Sequence, residues 1–111
     1  MTMKETTREY RALLFDFYGQ MLTGAQKETY AEHILEDLTV SEIAQNKNVS
    51  RQAVSDLIKR TERILSDYED KLKLVERFLQ IKEKVKEIER LATERDMKDI
   101  GNLAEEILEE L

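Results

Sequence analysis

Residues 39–58 leave this chain little choice of local fold. Ile43, Val49, Val54 and Leu57 fall where two short helices crossing at a steep angle must bury side chains. Ala44 sits at the crossing, where a larger side chain would push the helices apart. Thr39 and Glu42 form a Thr-x-x-Glu capping box that starts the first helix, and Asp37 is placed to assist the same start. Asn48 takes the turn position that needs a positive φ, which Asn tolerates. Lys47 fills a turn position that is often apolar. Ser50 is a good N-cap for the second helix, because its hydroxyl can accept from a free backbone N–H in the first turn. The pattern is that of a helix-turn-helix.

The second helix offers Arg51, Gln52, Ser55, Asp56 and Lys59 outward. In DNA-binding proteins of this design the second helix enters the major groove, and its first turns meet base edges. Arg51 could bridge guanine and Gln52 could pair adenine, with Ser55 and Lys59 extending the face. Lys47, Arg60 and Arg63 would serve phosphates, which set position rather than sequence. With Ser50 at the helix start, these residues make the candidate nucleic-acid surface. Asp56 shares that face and would repel phosphate unless it pairs with Lys59 or Arg60.

Net charge argues against a chain that simply coats nucleic acid, since it is −6. Its distribution says more. Residues 47–63 hold five basic and two acidic groups, residues 1–46 four and eight, and residues 64–111 nine and fourteen. Of these three segments only 47–63 is net positive, and it contains the start of the candidate recognition helix.

The rest of the chain reads as helix nearly throughout. There is no Pro among 111 residues and only three Gly, in a mixture rich in Glu, Lys, Leu and Ile. A first helix is expected over 8–21, with Tyr10, Leu13, Leu14, Phe17, Tyr18 and Met21 as its apolar stripe. Thr23 and Gln26 make a capping box for a second helix to about residue 35. That helix would turn Ala31, Ile34 and Leu35 inward, with Tyr30 at the margin. A helix from 51 to 67 follows the turn, and Ser66-Asp67 is a weak option for a break. From 69 to 93 the pattern is long and regular. Leu74, Phe78, Ile81, Val85, Ile88 and Ala92 alternate spacings of four and three, a heptad seam that points to packing or a homodimer. Residues 96–99 look like the cap of a last helix, to about 110, that could fold back as a hairpin. The expected organisation is a helix-turn-helix domain over 1–67 and a C-terminal helical extension over 68–111.

Catalysis is not expected. The single histidine, His33, has no recognisable nucleophile motif beside it. Glu28, Glu32 and Glu36 form an acidic strip of the kind that is usually a wet surface. No cysteine, zinc spacing, phosphate loop or dinucleotide fingerprint is present, so no metal or cofactor is expected. No apolar run suits a membrane span, and the first nine residues lack the apolar stretch of a signal peptide. A cytoplasmic protein without membrane insertion is the simple expectation.

Leu22-Thr23-Gly24-Ala25-Gln26-Lys27, Ser41-Glu42-Ile43-Ala44, Val49-Ser50-Arg51-Gln52-Ala53-Val54 and Ile58-Lys59-Arg60-Thr61-Glu62 together resemble the fourth region of bacterial sigma factors. In sigma factors that region binds the −35 promoter element through its helix-turn-helix. Sigma segments that bind core polymerase and melt the promoter have no counterpart in these residues. Adding Leu14-Phe15-Asp16-Phe17-Tyr18 and Tyr68-Glu69-Asp70-Lys71-Leu72, the chain resembles the YlxM-like family. These are small sigma-region-4-like proteins of Gram-positive bacteria, whose genes typically neighbour that of the signal recognition particle GTPase. The resemblance implies an all-α fold: a helix-turn-helix of the winged-helix-type superclass without a wing, then a long C-terminal helix and a short terminal one. It also implies a regulatory role in the protein-targeting pathway, beside or instead of DNA binding. Two functions follow as expectations: a DNA-binding regulator, or an accessory factor that contacts the particle's RNA or GTPase. A helical dimer with no nucleic-acid role is the bland alternative.

Overall fold

The computed structural model describes residues 7–111. The expectation about the first residues falls partly on residues 1–6, which lie outside that range. Among the described residues there are six α-helices, one short 3-10 turn and no strand. None of these helices is long and apolar enough to cross a membrane. The chain divides into two compact units, residues 1–73 and 74–111.

In the first unit, helix α1 (Arg8–Tyr18) begins at Thr7, whose side chain accepts from the Tyr10 N–H, and ends in a 3-10 turn, Gly19–Met21. Thr23 then starts α2 (Gly24–Ile34) with a complete capping box. Its hydroxyl accepts from Gln26 N–H at 3.3 Å, and the Gln26 side chain accepts from Thr23 N–H at 3.1 Å. The Thr39–Glu42 box starts α3 (Val40–Lys47) in the same way, with both bonds at 3.1 Å. Asn48 carries the expected left-handed backbone, at φ 56°. Ser50 caps α4 (Arg51–Leu72), its hydroxyl accepting from Ala53 N–H at 3.0 Å. Each cap satisfies a donor that the first helical turn would otherwise leave bare.

α4 is the spine on which α1, α2 and α3 pack. Ile43 and Leu65 are fully buried, with Val54, Ile58 and Ala44 nearly so. Tyr18 stacks on Tyr68 at 5.9 Å between centroids and donates to the buried Glu69 carboxylate at 2.5 Å. Tyr30 donates to Glu62 at 3.2 Å, and Arg11 pairs with the same carboxylate at 3.2 Å. Two helices are thus pinned to α4 by buried or half-buried phenols, whose rings add area while their hydroxyls find acceptors.

Several inward assignments come out differently. Tyr30, expected at the margin, is 1% exposed, whereas Leu35 is exposed. α2 ends at Ile34, so Leu35 no longer follows the helical face. Phe17 and Met21 are exposed, because α1 gives way to the 3-10 turn before the stripe completes. Val49, expected inside the motif, is 49% exposed, since the turn carries it past the crossing. Asp37 does not serve the start of α3. It adopts a positive φ of 60° and accepts from Arg8 at 2.8 Å, while the same guanidinium donates to the Ile34 carbonyl oxygen at the end of α2. His33 donates from Nδ1 to the Leu38 carbonyl oxygen at 3.0 Å, closing the α2–α3 turn.

α4 passes through Ser66-Asp67 without a break and ends where Lys73 turns left-handed, at φ 57°. The regular pattern expected from residue 69 therefore belongs to two helices, the second being α5 (Leu74–Glu94). In the second unit α5 packs against α6 (Lys98–Glu110) as a hairpin. Asp96 takes the left-handed position of the connection, at φ 54°, and Met97 precedes α6 with no side-chain cap. Within the expected seam Val85 and Ala92 are buried. Phe78 is half-buried, while Leu74, Ile81 and Ile88 are exposed. The hairpin closes through small residues at the end of that seam: Ala92 and Ala104 are buried, and a methyl added at Gly101 would come within 3.6 Å of the Ala92 methyl.

Candidate nucleic-acid interface

The crossing of α3 and α4 fixes which side of α4 faces outward. Val54, Ile58, Thr61 and Leu65 are buried, at helical spacing. The opposite side carries Gln52, Asp56, Lys59 and Arg63, one per turn and all exposed. Arg51 and Arg60 flank this stripe and are exposed too, and Ser55 is half-buried between stripe and core. Arg51, Lys59, Arg60 and Arg63 form no ion pair with any of the described residues. Four cationic heads are therefore available to solvent or to a ligand within about three turns of one helix.

Three members of the set expected from sequence are engaged locally. Ser50 spends its hydroxyl oxygen on the Ala53 cap. Gln52 donates to Asp56 at 2.8 Å along the helix surface, so its amide is held one turn above its own position. Asp56 thus pairs with Gln52 rather than with Lys59 or Arg60. Lys47 is the largest departure. Its ammonium lies 2.9 Å from Glu28 and 3.2 Å from Glu32, both on α2. The hydrogen bond that Lys47 donates to Glu28 is the main cause of its raised pKa, partial desolvation opposes it, and Glu32 adds to it. In this geometry Lys47 ties α2 to the end of α3, and the acidic strip read as a wet surface is half of that tie.

A shallow groove of about 410 Å³ runs beside the motif, between α2 and the first turns of α4, with Lys47, Val49, Asp56 and Arg60 on its walls. It brings Arg60 towards the α2 side of the motif, away from the stripe that carries Gln52, Lys59 and Arg63. The arrangement can present a helix face with hydrogen-bonding groups at its first turn and positive charge along the face and beside it. Sequence reasoning had no signal for the Lys47 tie, because Glu28 and Glu32 lie in a different helix and only the fold brings them near.

The comparisons with known proteins agree with this geometry. Residues 4–106 match the family model described as "UPF0122: Putative helix-turn-helix protein, YlxM / p13 like". A UPF0122 protein of Bacillus pumilus is 41% identical over 111 residues, covering 100% of this chain and 99% of its own. The UPF0122 protein YlxM of Bacillus subtilis is 44% identical over 93 residues, 84% of this chain and 83% of its own. A UPF0122 protein of Malacoplasma penetrans is 44% identical over 86 residues, 78% of this chain and 80% of its own. With the capped α3–turn–α4 unit in place and a match over nearly its whole length, this chain belongs to the UPF0122 family of YlxM/p13-like helix-turn-helix proteins.

Proposed function

We propose that this protein is a DNA-binding regulator that lays the first turns of α4 in the major groove. The observation that carries the reading is the outward stripe of α4. Lys59 and Arg63 on that stripe, and Arg51 and Arg60 beside it, are unpaired among the described residues and sit in a net-positive segment of an acidic chain. Arg51, at the first helical position, is placed to bridge guanine, whose O6 and N7 accept two parallel N–H donors. Gln52 would exchange its Asp56 partner for adenine N6 and N7. Lys59 and Arg63 continue the outward stripe and Arg60 flanks it, within reach of phosphates. Lys47 stays with its two carboxylates and holds α3 in register for the helix that does the reading. A cytoplasmic, non-enzymatic role fits such a regulator.

Selection of binding sites from random duplex DNA, followed by a gel shift at low and moderate salt, tests the proposal. A preferred site should emerge, and Arg51→Ala should weaken binding to it by about ten- to a hundredfold, the loss of one bidentate base contact. No selected site, or binding indifferent to Arg51→Ala, would contradict the reading. Capture of the protein by signal recognition particle RNA or its GTPase, without DNA binding, would replace it with the accessory-factor role.

A further inference from the structure

The outward stripe of α4 carries one group that does not suit a surface made to grip phosphates. Asp56 is exposed in the midst of it, with Gln52 one turn before and Lys59 and Arg60 within the turn after. Residues 47–63 contain one other acidic residue, Glu62. That carboxylate is folded back towards α1 and α2, where it accepts from Tyr30 at 3.2 Å and pairs with Arg11 at 3.2 Å. Asp56 is therefore the single carboxylate that this segment leaves on its outer face.

Its choice of partner is informative. Lys59 and Arg60 stand three and four residues further along the helix, the spacings at which ion pairs form. The Asp56 carboxylate takes neither. It accepts from the Gln52 amide at 2.8 Å, and Lys59 and Arg60 form no ion pair with any of the described residues. The Gln52–Asp56 bond joins no second helix and closes no turn, so an exposed pair of this kind adds little to the fold. Towards phosphate the carboxylate is a cost, because it lowers the positive potential around Lys59 and Arg60.

We propose that Asp56 sets specificity by requiring a cytosine close to the adenine that Gln52 reads. The inference rests on the major-groove reading of α4. When Gln52 turns to adenine, its amide leaves Asp56, and the carboxylate enters the groove without a donor. Carboxylate oxygens only accept. Guanine offers O6 and N7 there and thymine offers O4, so each sets an acceptor against it. Adenine has an amino group with the N7 acceptor beside it. Cytosine alone presents its N4 amino group with no acceptor on its own edge, which is the match for an aspartate. Gln52 and Asp56 lie about 6 Å apart along the helix axis. Bases stack at about 3.4 Å, so the cytosine falls one or two steps from the adenine. The two side chains act as a unit. Free in solution they satisfy each other, and at the right site each finds its own base. At a wrong site Gln52 cannot leave without stranding a desolvated carboxylate. Discrimination then comes from rejection as much as from attraction.

Site selection from random duplex DNA by the wild type, Gln52→Ala and Asp56→Ala, followed by gel shifts on the wild-type site with single base-pair changes, tests it. Wild-type sites should require a cytosine one or two steps from the adenine whose preference Gln52→Ala loses. Changing that cytosine to thymine swaps an amino donor for a carbonyl acceptor and should weaken wild-type binding about tenfold or more. Asp56→Ala, with unchanged helicity by circular dichroism, should no longer distinguish the two duplexes and should bind unselected DNA more tightly at low salt. Wild-type sites without such a cytosine, or an Asp56→Ala variant that keeps the preference for it, would overturn the proposal. So would an Asp56→Ala variant that binds every duplex more tightly by the same factor, since that is the effect of charge alone. Sites that are selected and sensitive to Arg51→Ala, yet indifferent to Asp56→Ala, would leave α4 as the recognition helix and remove only the cytosine assignment. The absence of any selected site would remove both.

Discussion

Tyr30 shows how one side chain links packing to solution behaviour. Its ring is buried against Phe15 at 5.7 Å, and its hydroxyl donates to Glu62. Burial, and then the neighbouring Glu62 carboxylate, push its pKa well above the ordinary tyrosine value, with Arg11 opposing. A pKa raised by folding supplies stability that is complete below the unfolded value and lost as pH climbs towards the folded one. Unfolded tyrosine ionises near pH ~10, so stability should fall steeply above that pH as the unfolded chain gives up its proton first. Tyr30→Phe should cost about 1 kcal/mol at neutral pH through the lost hydrogen bond. It should also flatten the alkaline decline, as urea melts across pH 8 to 11 would record. An equally steep decline in the variant would show that another group governs it. The residue itself was misjudged in the sequence as marginal. Periodicity placed it at the edge of a face, and only the approach of α4, with Glu62 to receive its hydroxyl, makes full burial of a phenol favourable.

The helices divide into those whose ends are written in local chemistry and those whose ends are not. Thr23, Thr39 and Ser50 are caps by side-chain type, and each makes the hydrogen bond its sequence context implies. Asn48 is equally readable, because Asn accepts the left-handed backbone. Lys73 is not. Nothing about a lysine marks a helix end, yet α4 stops there at φ 57°. The pattern from residue 69 onward looked continuous for that reason. A non-glycine residue in this region carries a backbone penalty that glycine escapes. Lys73→Gly should therefore raise stability by up to about 1 kcal/mol, read as a higher denaturation midpoint at unchanged slope. A destabilised variant would mean that the lysine side chain holds the helix end by contacts that outweigh its strain. The candidate interface divides along the same line. Arg51, Gln52, Lys59, Arg60 and Arg63 were readable because they lie on one helix, where spacing alone sets direction. The Lys47 tie needed a second helix to be in place.

For the molecule as a whole, the organising fact is an uneven distribution of charge. Residues 47–63 are net positive within a chain of net charge −6, and the fold turns Arg51, Lys59, Arg60 and Arg63 outward together. Phosphate contact by such groups releases condensed counterions, and that leaves a signature no folding effect imitates. The direct measurement is the affinity for a selected duplex, by fluorescence anisotropy, as a function of salt. With Lys59, Arg60 and Arg63 on phosphates, log affinity should fall against log salt with a slope of about −3 per bound copy. Replacing Arg60 and Arg63 with Gln should reduce its magnitude by about 2 per copy. A slope near zero, or one that these replacements leave unchanged, would contradict the assignment of α4 as the nucleic-acid-binding helix.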